Sequence, residues 1–259
     1  MSPMESTSAS SGRGAGAALG AALGAALGPA LGPALGAATG LATATAERPV
    51  TLVLCKGRLL GPSLEVLTRA GVDVPADIEE DRRVIVPVGD DLRILFSRPD
   101  DAPTYVGRGA ADLGIVGSDS ILEAGADVVE LVDLGVAACR MAFAGRPGAD
   151  LGARRLVVAS RYANLTRAIL AERGMDAEVL PMRGSVELAV VTGAADVILD
   201  LVATGRTLAE NGMVILDVVK DISARLIANA AALRTGVPSV LRLANKIMAG
   251  GASAGRASA

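Results

Sequence analysis

Histidine is absent from all 259 residues, and so is tryptophan. The first absence excludes imidazole acid–base catalysis and imidazole metal ligands from this chain. Its chemistry is left to carboxylates, Lys and Arg, hydroxyls and backbone donors, with Mg²⁺ as a candidate addition. Cysteine occurs only at Cys55 and Cys139, each in an apolar, strand-like run. That predicts buried thiols in a reducing compartment and no disulfide framework. Aromatics make up 2% of the chain, so the core must be built from Val, Leu, Ile and Ala. Neither sign of charge dominates; a net charge of −3 gives no case for a nucleic-acid surface.

Charge is missing altogether between Gly14 and Ala46, where Gly recurs every fourth residue from Gly16 to Gly40. Stacked Gly-x-x-x-Gly steps raise a membrane helix, and Ala42-Thr43-Ala44 resembles a signal cleavage site. Gly and Ala bury little surface, each helical Gly costs about 1 kcal/mol, and Pro29 and Pro33 interrupt the repeat. Residues 1–48 are therefore expected to be a disordered low-complexity extension, with no membrane span and a cytoplasmic location.

From Pro49 onward, apolar strands alternate with helical patterns, which predicts an α/β architecture. Val50 to Cys55 is a continuous apolar strand followed by Lys56-Gly57-Arg58 and a helix through Leu64 to Ala70. Ligands gather at the C-terminal ends of such strands; a solvated basic turn is the plainer alternative. Glu79 to Arg83 is a charge run of the kind that faces solvent. Val84 to Val88 and Leu92 to Phe96 predict a hairpin, and an Asp before Ala102 predicts a cap for a helix from Thr104 to Gly109. Ala111 to Gly117 is a buried strand with Ser118-Asp119 opening the next helix. Further strands follow at 128–134, 136–144, 156–160 and 177–181, with a helix at 165–172. Ser185 with Glu187 behind it is an ordinary N-cap pattern. Two strands, 214–219 and 222–228, and one helix from Ala230 to Met248 complete the pattern.

The most informative stretch is Glu187 to Leu208. Val197 to Leu201 predicts a buried strand carrying an acid at Asp200. Ala203-Thr204-Gly205-Arg206-Thr207 is a turn of small and hydroxyl residues before a helix start at Leu208. A strand feeding a Gly turn at a helix N-terminus presents free N–H groups to an anion. Thr204 and Thr207 add hydroxyls and Arg206 a charge, while a carboxylate just before the loop suits two neighbouring ribose hydroxyls. Gly205 making an unremarkable turn is the alternative for Thr-Gly-x-Thr alone.

The whole stretch resembles the signature of the ATP phosphoribosyltransferase family. Glu187, Gly193, Ala195, Ile198, Asp200, Leu201, Thr204, Gly205, Thr207 and Leu208 all match it. The Lys-Gly-Arg-Leu step at Lys56 and the Asp-x-Gly-Ile-Val-Gly-x-Asp step from Asp112 to Asp119 are also similar to that family. The resemblance spans about residues 49–245. Departures are Leu199 where other phosphoribosyltransferases carry a second acid, Ser118 where this family often has Lys, and Val190 where it often has Pro.

The resemblance implies a two-lobed fold like type II periplasmic binding proteins, with the site in the inter-lobe cleft. Residues 49–136 plus 230–248 would form one lobe and 137–229 the other. It implies transfer of the phosphoribosyl group of phosphoribosyl diphosphate (PRPP) to N1 of ATP with release of diphosphate, the first step of histidine biosynthesis. Lys56, Arg58 and Arg82 would serve the leaving diphosphate; Glu187 and Asp200 the ribose; Ala203, Thr204, Gly205, Arg206 and Thr207 the 5′-phosphate. Mg²⁺ would ride mainly on substrate diphosphate rather than on protein ligands. With about twenty residues after Pro238 the chain resembles the short form. That form is a homodimer within a larger hetero-oligomer containing a regulatory subunit similar to histidyl-tRNA synthetase. A two-lobed solute-binding protein and a phosphoribosyltransferase for another base are the competing classes. The low-complexity reading of residues 1–48 predicts that a chain beginning at Glu47 keeps the turnover of the full chain, measured side by side; loss of turnover would give the extension a function.

Overall fold

Leu52 and Leu54 of the first strand pack into one cluster, Val53 and Cys55 into another, and all four are fully buried. A run that is apolar at every position belongs to a strand covered on both faces, and the computed structural model bears this out. It describes residues 48–252 apart from 76 and 79. Within that range β1 (Val50–Cys55) lies between β3 (Leu92–Ser97) and β4 (Leu113–Gly117), parallel to both. β2 (Ile85–Val88) closes the expected hairpin against β3. β11 (Ala224–Ala228) runs antiparallel between β4 and β5 (Val129–Asp133). Helices α1 (Leu60–Arg69) and α8 (Pro238–Ala252) cover one face. Helices α2 (Ala102–Gly107) and α3 (Ser118–Ala124) cover the other.

The second sheet has the order β10-β6-β9-β7-β8. Its strands are β6 (Cys139–Gly145), β7 (Leu156–Ser160), β8 (Ala177–Pro181), β9 (Val197–Val202) and β10 (Val214–Ile222). Met141 and Phe143 face helix α4 (Ala163–Glu172). Ala142 and Ala144 face α5 (Glu187–Val191) and α6 (Arg206–Glu210). With two Phe and no Trp in the chain, each sheet face is filled by aliphatic alternation.

The chain crosses between the lobes twice, after β5 and again at Ser223 between β10 and β11. The crossings are bonded to each other: Leu134 N–H to the Ala224 carbonyl at 2.9 Å and Ala224 N–H to the Val136 carbonyl at 3.0 Å. This moves the expected lobe boundary. Residues 224–228, assigned by sequence to the second lobe, complete the first lobe's sheet. The strand break falls at Ser223, not at Lys220-Asp221, because β10 stays paired with β6 through two register shifts. The C-terminal helix is two helices, α7 (Ala230–Arg234) and α8, separated by a turn with Gly236 at φ +63° ahead of Pro238. α8 runs on to Ala252, where its glycines permit close approach; a Cβ on Gly250 would lie 2.9 Å from the Ala70 backbone nitrogen. Asp101 precedes α2 but makes no side-chain cap bond, and the helix starts at Ala102. Val186, not Ser185, sits at the cap of α5, also without a side-chain bond.

Both cysteines are buried and unpaired, as expected. Among the described residues no helix is long and apolar enough to cross a membrane. The extension expected at residues 1–48 lies outside the described residues up to position 47, as does Glu79.

Arg48 anchors the entry to β1. Its guanidinium meets both carboxylate oxygens of Asp112, at 2.8 and 2.5 Å, and Thr51 N–H donates to the same carboxylate at 2.9 Å. Asp112 is only 3% exposed. Asp112→Ala strands these donors and is expected to lower stability by about 1–3 kcal/mol. Urea unfolding checks it: the midpoint should fall without a change in slope.

Candidate functional site

β9 carries Asp200 at the opening between the lobes. Its neighbours fix it there: Asp200 is registered opposite Ala142 in β6, and β7 lies along its other edge. The strand ends at Val202, and Ala203 to Gly205 turn into α6. Gly205 takes φ +75°, a left-handed conformation that favours glycine. Thr204 Oγ1 accepts a long bond from Arg206 N–H at 3.4 Å, while Arg206 itself pairs with Glu210 one turn on, at 2.8 Å.

These residues line one cavity of about 420 Å³. Lobe two contributes Glu187, Asp200, Ala203, Thr204, Gly205, Arg206 and Thr207; lobe one contributes Lys56 and Arg58. Nine of the sequence-predicted site residues are thus brought together from segments far apart in the chain. Arg82 is not among them. It is exposed in the loop before edge strand β2 and outside the cavity lining. That loop is held instead by its neighbours, Asp81 accepting from Arg83 N–H at 2.8 Å and from its guanidinium at 2.6 Å. Ser118, where the resembled family often has Lys, is buried and stitched to Ser223, each N–H aimed at an oxygen of the other.

Asp100, Asp119, Arg161 and Tyr162 also line the cavity, with no role assigned from sequence. Each follows the C-terminal end of a strand, β3, β4 or β7, and the general rule that ligands collect at such ends was the available signal. Arg161 pairs with Asp100 of the other lobe at 2.9 Å. Tyr162 donates its hydroxyl to Asp119 at 3.0 Å.

The cavity mixes charges. Arg58 Nη2 donates to the Cys139 sulfur at 3.4 Å, and it has no carboxylate within ion-pair distance among the described residues. The sulfur orients the guanidinium, and that bond together with the more distant Asp119 charge favours its charged form. Lys56 Nζ lies 5.3 Å from the centre of the Phe96 ring, a contact that also leaves its charge unopposed. Burial pushes the Asp200 carboxyl above its ordinary value; the Leu201 N–H bond opposes this and Glu187 adds to it. A buried acid facing a cavity is poised to accept hydrogen bonds from a polyol. Among the described residues no three potential metal-ligating side chains converge, so the donor set does not fit a cation held by protein alone.

The family described as ATP phosphoribosyltransferase matches residues 98–249. An ATP phosphoribosyltransferase of Methylococcus capsulatus is 42% identical over 200 residues, covering 76% of this chain and 94% of that relative. One from a Geobacillus strain is 39% identical over 199 residues, covering 76% and 97%. Among solved structures, the ATP phosphoribosyl transferase (HisG:HisZ) complex from Thermotoga maritima aligns with a TM-score of 0.70 at 29% identity, covering 79% of this chain and 99% of that one.

The upward shift at Asp200 has a signed consequence. Below the ordinary value of 3.8 the group is protonated folded or unfolded and costs nothing. As pH rises through the window between that value and the raised one, the folded state alone resists ionisation and stability is lost. Asp200→Asn is therefore expected to raise the neutral-pH melting temperature, with the gain shrinking as pH falls toward 4. Melting curves across pH check it; a constant or reversed difference would show that the burial is not strained.

Proposed function

The chain belongs to the ATP phosphoribosyltransferase family, and from that premise we propose how its cleft carries out the family's reaction. The enzyme joins N1 of ATP to C1 of PRPP and releases diphosphate, the first step of histidine biosynthesis. One observation carries the assignment of roles: the Thr-Gly-Arg-Thr loop and its preceding acid share a single cavity with two cations from the opposite lobe.

The 203–207 loop takes the 5′-phosphate through backbone N–H groups and the Thr204 and Thr207 hydroxyls. Asp200 accepts from the ribose hydroxyls, and Glu187 lies beside it. Such contacts set C1 toward lobe one, where Lys56 and Arg58 face the diphosphate. Adenine N1 carries a lone pair and no proton at neutral pH, so attack needs no general base. That agrees with a chain containing no histidine. Catalysis reduces to alignment and to stabilising the charge that builds on the departing diphosphate. Arg82, exposed as it stands, is assigned no contact in this arrangement.

Magnesium, in this reading, arrives on the diphosphate as part of the substrate, held by its oxygens and water. We assign the chain a cytoplasmic location and a regulatory partner similar to histidyl-tRNA synthetase. The partner assignment is supported by the HisG:HisZ pairing named in the Thermotoga maritima relative.

Absorbance of the joined adenine gives the test, with ATP, PRPP and Mg²⁺ supplied, alone and with such a partner. Turnover requiring both substrates is expected. Asp200→Ala and Thr204→Val should each impair use of PRPP while leaving the fold intact, at least tenfold in kcat/KM for PRPP, about 1.4 kcal/mol. Near-normal turnover in both would remove the loop from the mechanism. Arg58→Ala should lower kcat more than it raises KM for ATP; a pure ATP-affinity defect would contradict the leaving-group role.

A further inference from the structure

Three successive contacts join residues 161–165 of lobe two to lobe one. Arg161 pairs with Asp100 at 2.9 Å. Tyr162 donates to Asp119 at 3.0 Å. Glu123 accepts the N–H groups of Asn164 and Leu165 at 3.1 and 2.9 Å. The last contact answers a local defect, because Tyr162 stands at the cap position of α4 and offers no side-chain cap of its own. A carboxylate from the other lobe satisfies that helix end.

The three contacts differ in depth. Arg161 and Asp100 are about half exposed, at 42% and 58% of their side chains, and an exposed pair contributes about 0–1 kcal/mol. Asp119 and Tyr162 are 7% and 5% exposed. A buried carboxylate stripped of a donor is costly, so this bond is the one that fixes a spacing. We propose that Tyr162, through its hydrogen bond to Asp119, is a positioning residue that sets the separation of the two half-sites. The proposal rests on the reading above, in which the loop holds the ribose phosphate and Lys56 and Arg58 face the diphosphate. The ribose-phosphate contacts belong wholly to lobe two. Transfer alone needs both lobes in register, and a misplacement of 1 Å costs about a hundredfold in rate.

Tyr162→Phe removes one oxygen and keeps the ring that packs in the lobe-two core. It is expected to lower kcat at least tenfold. Binding of ribose 5-phosphate, the one-lobe probe, should stay within threefold of the unsubstituted enzyme by calorimetry. If both side chains act through one bond, Tyr162→Phe with Asp119→Ala should lose no more than the worse single variant. A kcat within twofold of the unsubstituted enzyme overturns the proposal. So does a double variant whose loss equals the product of the singles, or ribose 5-phosphate binding that weakens in parallel with kcat. Failure of the underlying reading shows separately, as normal turnover by Asp200→Ala.

Discussion

Strand β9 is pinned along both edges, by β6 in antiparallel and by β7 in parallel register, and the site depends on that confinement. Its residues alternate between the α4 face and the face covered by α5 and α6, so a slip by one position would reverse every side chain. Val197, Ile198 and Leu199 are buried on both faces, so the residue that such a slip would misplace is Asp200, whose carboxylate would turn toward the α4 core; the paired edges hold it at the cleft. The same confinement burdens Asp200, whose carboxyl is pushed up by burial. Local destabilisation of this kind is common where a group is held ready for a ligand.

The lobes meet at their crossings, along one wall of the cleft and through the bond from Arg58 to Cys139. The crossings bond to each other through Leu134, Val136 and Ala224. The wall is made by residues 161–165 against Asp100, Asp119 and Glu123. In the proposed arrangement the phosphate loop with Glu187 and Asp200 comes from one lobe and Lys56 and Arg58 from the other, so the substrate spans both. The wall adds side-chain contacts to these backbone links, the first of which holds Gly135 at φ +65° and Ala137 at φ +53°.

Much of this was legible in the sequence because it is local. A strand, a glycine needing a left-handed turn and hydroxyls at fixed offsets all lie within Val197 to Thr207; the turn formed at Gly205, but the helix starts at Arg206 rather than Leu208, so Arg206 and Thr207 belong to its first turn. Strand pairing was less legible. Ala224 to Ala228 reads as a strand, but nothing in it says which sheet it joins; antiparallel pairing with β4 and β5 decides that. Arg82 belonged to a charge run, and a charge run carries no information on which member turns inward. In the fold Asp81 and Arg83 satisfy each other and Arg82 faces solvent. Tyr162 and Asp119 lie 43 positions apart. Each alone reads as an ordinary helix-start residue, and only the fold makes them partners.

The charges in the cleft explain why a chain without histidine suffices. Lys56 and Arg58 rest on a ring face and a sulfur, contacts that orient a cation without neutralising it. Arg161 and Arg206, in contrast, each have a carboxylate partner. A leaving diphosphate gains most from cations that need not first surrender a partner, since preorganised charge requires no rearrangement at the moment of reaction. In the proposed arrangement Glu187 and Asp200 sit on the ribose side, while Asp100 and Asp119 of lobe one are held by Arg161 and Tyr162. Lys56 and Arg58 are then the cavity cations that make no ion pair among the described residues. A nucleophile with its own lone pair needs that alignment and no proton acceptor.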